Sequence, residues 1–217
     1  MTARGVFITF EGGEGSGKST QLSLLADALA QAGVAVATTR EPGGTKLGES
    51  VRGLLLNPEN TEMDSRTELL LYEAARAQLV AAVVVPALDA GEVVLCDRFA
   101  DSTTAYQGYG RGLPLAEIAA LNAAATGGAV PDLTLVYDLD AAVGLERATE
   151  HATDRLEAEA LAFHERVVEG FRAIASADPD RVALIDAGGS IDDVARDTLE
   201  AAQRLPVLAA ALRRPGS

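Results

Sequence analysis

Gly12-Gly13-Glu14-Gly15-Ser16-Gly17-Lys18-Ser19, followed by Thr20, is the stretch on which the fold turns. Its eight positions read Gly, four residues, Gly, Lys, then Ser or Thr, the Walker A pattern. The glycines let the backbone curl until successive N–H groups converge on an anion, and a helix starting at Lys18 adds partial positive charge. Lys18 supplies a point charge for the β- and γ-phosphates of a nucleotide, and the Ser19 hydroxyl is placed to ligate the magnesium bridging them. Thr20 opens the helix. The loop specifies phosphate binding but no acceptor, because GTPases, motor ATPases and small-molecule kinases share it.

Working outward, Gly5 to Phe10 is β-branched and aromatic and stops at Glu11-Gly12, a buried strand feeding the loop. Leu22, Leu25, Ala26 and Leu29 recur at helical spacing, and Gly33 ends that helix. The pattern predicts further strands at Val34 to Thr39, Val93 to Cys96, Leu133 to Leu139 and Val182 to Ile185. It predicts helices at Leu47 to Leu56, Asp64 to Leu88, Ala100 to Tyr106, Leu115 to Ala125, Val143 to Glu150, Glu157 to Ala175 and Ile191 to Arg204, with a frayed tail from about residue 206 to 217. Strands alternating with helices imply an α/β, P-loop NTPase-type fold: one domain over 1–217, with a five-stranded parallel sheet covered by helices on both faces.

Composition narrows the function. The 217 residues carry a formal charge of −14, which opposes nucleic acid and anionic membranes, so any nucleotide site must be a local basic island. Cys96 is the only cysteine, which excludes an internal disulfide and suits a reducing compartment; the cytoplasm is expected. Met1 to Arg4 runs straight into Val6-Phe7-Ile8 without a signal-peptide pattern, and Leu79 to Leu88, interrupted by Pro86, is shorter than the roughly 18 residues of a membrane helix. No membrane or nucleic-acid partner is expected.

Asp97-Arg98 closes an apolar strand, where a parallel sheet presents its ligands. Asp97 suits a magnesium shell and Arg98 an anionic acceptor. Together with the phosphate loop, five further stretches form an ordered set: Thr39-Arg40-Glu41-Pro42-Gly43-Gly44-Thr45, Leu69 to Gln78, Asp97 to Gln107, Pro131 to Thr134, and Asp154-Arg155-Leu156-Glu157. In order and spacing the chain resembles the bacterial thymidylate kinases, P-loop nucleoside monophosphate kinases, from Val6 to about Ala202.

The resemblance implies ATP-dependent phosphorylation of dTMP to dTDP with Mg2+, in dTTP biosynthesis, by a homodimer. It implies that Gly12 to Thr20 binds ATP, that Ser19 and Asp97 hold the metal, and that Lys18, Arg98 and Arg155 are catalytic. Tyr72 then stacks on thymine with Pro42 closing the slot. Arg76 and Arg98 hold the acceptor with help from Arg52, and Thr104 or Gln107 reads the base edge. Tyr106 crowds the sugar C2′, and Glu14 meets the 3′-hydroxyl. The alternatives are a kinase for another nucleoside or nucleotide and a non-kinase P-loop ATPase switch. The apolar helices from Leu47 to Leu88 offer an isologous face.

The family's mobile lid falls at about 149–156. In members with a small residue at the position of Gly15, lid arginines supply transition-state charge, yet this lid reads Thr149-Glu150-His151-Ala152-Thr153. Arg155 and the more distant Arg147 remain. Either Arg155 suffices, protonated His151 contributes, or the enzyme is slow; the reading favours Arg155.

Overall fold

A computed structural model describes residues 4–148 and 155–212. In chain order it contains β1 Val6–Gly12, α1 Lys18–Gln31, β2 Val36–Arg40, α2 Lys46–Leu56, α3 Ser65–Leu79, a π-helical stretch Val80–Val84 and α4 Val85–Asp89. β3 Val93–Asp97, α5 Ala100–Thr103, a second π-helical stretch Thr104–Gly110, α6 Leu115–Thr126 and β4 Leu133–Asp138 follow. The described chain ends with α7 Ala141–Ala148, α8 Leu161–Ala177, β5 Val182–Asp186, α9 Ile191–Ala202 and α10 Pro206–Leu212.

The five strands form one sheet in the order β2-β3-β1-β4-β5, and every pairing is parallel. Alternation along β1 divides the core. Ile8 and Phe10 pack with Leu22, Leu25 and Leu29 of α1 and with Val194 and Leu208 of α9 and α10. Phe7 instead packs with Leu79, Val84 and Leu88, while Val136 of β4 meets Phe163, Val167 and Phe171 of α8 on that same side of the sheet. Both faces are therefore buried, which is why the strands read as continuous apolar runs.

Several boundaries differ from the sequence reading. The second strand runs one residue further, to Arg40. α8 starts at Leu161, not Glu157, because Arg155 to Ala160 turn across α2 and α3 before the helix begins. The tail expected to fray from about residue 206 instead forms α10, whose Leu208 is fully buried against α1; Pro206 suits its first turn. Thr149 to Asp154 of the lid, His151 included, and residues 213–217 lie outside the described residues.

Ser65 to Asp89 is one continuous helix of 25 residues and passes through Pro86. The wider turn at Val80–Val84 lets the proline ring clear the preceding turn. This helix is long and apolar enough to cross a membrane, longer than the apolar run Leu79 to Leu88 read from sequence. Here Leu79, Val84 and Leu88 cover the sheet, and the helix carries the buried charges Glu68, Glu73 and Arg76.

Candidate active site

β1 hands the chain to α1 through the glycine loop at the C-terminal edge of the sheet. A Cβ on Gly12 would stand 2.6 Å from the Tyr137 carbonyl, and one on Gly15 would collide with the carbonyl of Gly144. Gly12 and Gly15 are thus required because β4 and α7 back directly onto them. Lys18 Nζ donates to the Gly13 carbonyl at 2.7 Å and to Ser16 Oγ at 3.3 Å, contacts that a bound phosphate would replace. Burial, reinforced by the nearby Arg98 cation, brings the Lys18 pKa down to about 8. In the first turn of α1, Ser19 Oγ donates to Asp97 Oδ2 at 2.5 Å.

Two clefts open beside the loop. One is bordered by Gly15 to Thr20, Arg40 and Asp97, the other by Pro42, Tyr72, Ser102, Thr103, Tyr106, Gln107, Leu156 and Glu157. Glu14, Glu41, Arg52 and Arg98 line both. A phosphate held in one cleft would therefore face a phosphate held in the other across a wall carrying two arginines.

Arg98 is the centre of that wall. It adopts a left-handed backbone conformation, φ +68°, with its N–H donating to the Phe10 carbonyl at 2.9 Å. Such a conformation is costly for a residue with a long side chain and persists only where neighbours impose it. Glu11 imposes it by accepting from Phe99 N at 2.7 Å and Ser102 Oγ at 2.5 Å. Burial, and then the charge of Asp101, push the Glu11 pKa up to about 8. The Arg98 guanidinium lies over the Tyr106 ring, 5.0 Å from its centroid, and donates to the Gly12 carbonyl and to Glu14. Glu14 also accepts from the Tyr106 hydroxyl; burial opposes its charge, but Arg98 and Lys18 hold its pKa down to about 2.

Residues 10–198 match the family model described as thymidylate kinase. The chain belongs to the thymidylate kinase family. It is 54% identical over 198 residues to the thymidylate kinase of Solidesulfovibrio magneticus, covering 88% of this chain and 95% of the relative. A Synechococcus thymidylate kinase is 53% identical over 97% of this chain and all of the relative. The crystal structure of the thymidylate kinase from Ehrlichia chaffeensis superposes with a TM-score of 0.76 at 39% identity, covering 92% of this chain and 99% of that one. The α/β fold and the kinase class expected from the sequence follow from these likenesses.

The structure brings Glu14, Pro42, Arg52, Tyr72, Arg98, Tyr106 and Gln107 together around the second cleft. It does not bring Arg76 there. All five N–H donors of that guanidinium are occupied: Nε and Nη2 on Glu41, Nη1 on Glu73 and Asn122, and Nη2 again on the Phe99 carbonyl. In this structure Arg76 lines neither cleft and stitches α3 to the end of β2. Thr104 turns back to the Ala100 carbonyl and Asn122, leaving Gln107 on the cleft wall.

Arg155 is the largest departure from what a thymidylate kinase lid leads one to expect. It donates through Nε to the Leu55 carbonyl and through Nη2 to Glu68, and it lines neither cleft. Among the described residues, the cations facing the phosphate cleft are Lys18, Arg40, Arg52 and Arg98. Arg147 sits behind the loop, donating to the Ala187 carbonyl beside a hollow formed with Gln21, Gly189 and Ile191. Ser102, Thr103, Glu41, Arg40, Leu156 and Glu157 were missed as wall residues although all lie inside the recognisable motifs. Motif membership was the available signal, but it does not say which side chains of a turn face a cleft.

Proposed function

We propose that the chain transfers the γ-phosphoryl group of ATP to the 5′-phosphate of dTMP, giving dTDP for dTTP biosynthesis. The observation that carries this reading is the wall shared by the two clefts, with Arg98 and Arg52 between the phosphate loop and a slot that Tyr72 and Pro42 border. The Tyr72 ring suits stacking on a pyrimidine, and Arg52 steadies Pro42 by donating to its carbonyl at 3.0 Å. Tyr106 and Glu14, linked by a hydrogen bond, stand where a deoxyribose would lie. The hollow beside Arg147 suits the nucleoside end of ATP.

The acceptor oxygen is already anionic, so no general base is required. Lys18 neutralises the donor phosphates, Arg98 and Arg52 bring the acceptor phosphate into line against its own charge, and the N–H groups of the loop hold the chain of phosphates still. Ser19 Oγ and Asp97 Oδ2, side by side next to the loop, fit a magnesium ion that takes most of its ligands from phosphate and water. When bound, Mg2+ would spread the negative charge of the transferring group.

Arg155 is placed to hold the foot of the lid against α2 and α3, so its part in the reading is to shape the acceptor cleft. The exposed Leu47, Leu54 and Leu70 on α2 and α3 support a homodimer, which sedimentation would test. A cytoplasmic setting accords with a single buried free cysteine.

A panel of nucleoside monophosphates assayed for ADP release with ATP tests the activity. dTMP is expected to be the preferred acceptor. Uridylate turned over as well as thymidylate would overturn the assignment to dTMP, and ATP hydrolysis indifferent to every acceptor would favour a switch ATPase instead.

A further inference from the structure

Glu68 takes no part in the chemistry described above, yet it is 1% exposed and sits one helical turn before Tyr72 on α3. Three side chains converge on its carboxylate. Gln107 Nε2 donates to Oε1 at 2.9 Å, Arg111 donates to both oxygens at 3.1 and 3.0 Å, and Arg155 donates to Oε2. Burial alone would raise the Glu68 pKa, but the hydrogen bonds from Arg111 and Gln107 hold it below the ordinary carboxylate value. Glu68 is therefore ionised, and an ionised carboxylate accepts hydrogen bonds without being able to donate one. The carboxamide of Gln107 must turn its NH2 toward Glu68, which leaves its oxygen as the end available to the cleft that Gln107 lines.

We propose that Glu68 is a positioning residue for base specificity: it locks the Gln107 amide so that the cleft presents a hydrogen-bond acceptor to the base, selecting pyrimidines that carry an N3–H over those with an N3 lone pair. The inference rests on the reading that a pyrimidine monophosphate occupies the cleft beside Tyr72. Thymine and uracil carry that N3–H, whereas cytosine offers a lone pair, so cytosine would set two acceptors against each other in a buried site. A carboxamide is otherwise nearly symmetric in shape and flips to suit its ligand; the fixed charge of Glu68 removes that freedom. Because Glu68 and Tyr72 project from the same helix, the base plane and the base edge are set by one rigid element.

The merely structural alternative is that Glu68 only neutralises Arg111 and Arg155. Glu68→Gln offers Gln107 either end of a second carboxamide, while Arg111→Met removes a neighbouring partner and leaves the Glu68–Gln107 bond in place. Steady-state kinetics with dTMP and dCMP at saturating ATP should show the kcat/KM ratio of dTMP over dCMP falling at least about tenfold in Glu68→Gln. The fall should come through KM for dTMP, with kcat within about threefold of wild type. Arg111→Met should keep the ratio within about twofold even where its melting temperature drops. An unchanged ratio in Glu68→Gln, equal losses for both acceptors, or an equal fall in Arg111→Met would each overturn the proposal. Should Glu68→Gln not fold, a crystal structure of the wild-type enzyme with dTMP decides: Gln107 Nε2 still on Glu68 with Oε1 on the base N3 supports it, and Gln107 detached from Glu68 overturns it. Wild-type turnover of dTMP in the same assay is read separately, so absent turnover would sink the activity reading, not the role of Glu68 alone.

Discussion

Arg98 Nη2 donates to Glu14 at 2.9 Å in the wall that the two clefts share. The carboxylate of Glu14 thus takes up part of the guanidinium that an acceptor phosphate would need. Arg98→Lys keeps a cation but loses the planar fork that spans two phosphate oxygens. The expected result is a fall of at least about 100-fold in kcat/KM for dTMP, with ATP affinity within about threefold; equilibrium titration with an ATP analogue checks the second half.

Arg155→Ala separates two roles. An arginine reaching the transferring phosphoryl group would lower kcat by about 10³ or more when removed. From its place on Glu68 and Leu55, removal should instead raise KM for dTMP several-fold and lower kcat less than about tenfold. Initial rates over a dTMP concentration series distinguish the two.

Nucleotide binding should take up a proton near pH 8. The Lys18 pKa is about 8, so close to half of the population is neutral there, and triphosphate binding favours the charged form. Titration calorimetry in buffers of different ionisation enthalpy should report uptake of up to about half a proton per site at pH 8, vanishing toward pH 6. Uptake independent of pH would count against Lys18 as its source.

Glu11 makes stability fall with rising pH. Its folded pKa, about 8, lies above the ordinary 4.5, so between these values the unfolded chain loses the proton while the folded chain keeps it. Glu11→Gln, which mimics the protonated side chain against Phe99 N and Ser102 Oγ, should gain on wild type as pH rises from 5 to 8. A gain of about 1 kcal/mol corresponds to some 2–4 °C in melting temperature for a chain of this length. Parallel melting curves across that range would contradict it.

Much of this molecule was legible in the chain. Alternating apolar runs and helical periodicity placed all five strands and most of the helices around them, because both faces of a parallel sheet must be covered. The loop from Gly12 to Ser19 announced phosphate binding through local chemistry alone. Tyr72, Arg98, Tyr106 and Gln107, singled out through the family resemblance, line one cleft. The π-helical turn at Val80–Val84 that lets this helix pass Pro86, and the docking of α10, were not legible, since both depend on packing across the sheet.

What the sequence by itself determined is which segment carries the phosphate-loop pattern and which motifs surround it, for these are properties of short stretches with their own conformational rules. Only the tertiary structure decided how the charges are partnered. Arg76 and Arg155 look as available as Arg98 in the sequence, yet Glu41, Glu73 and Asn122 occupy the first, while Glu68 and Leu55 hold the second. An arginine acts on a ligand only through donors it has not already given away, and the partners that claim them come from distant parts of the chain. For the same reason Gly15 is understood only in the fold: the carbonyl of Gly144 on α7 stands where its side chain would be.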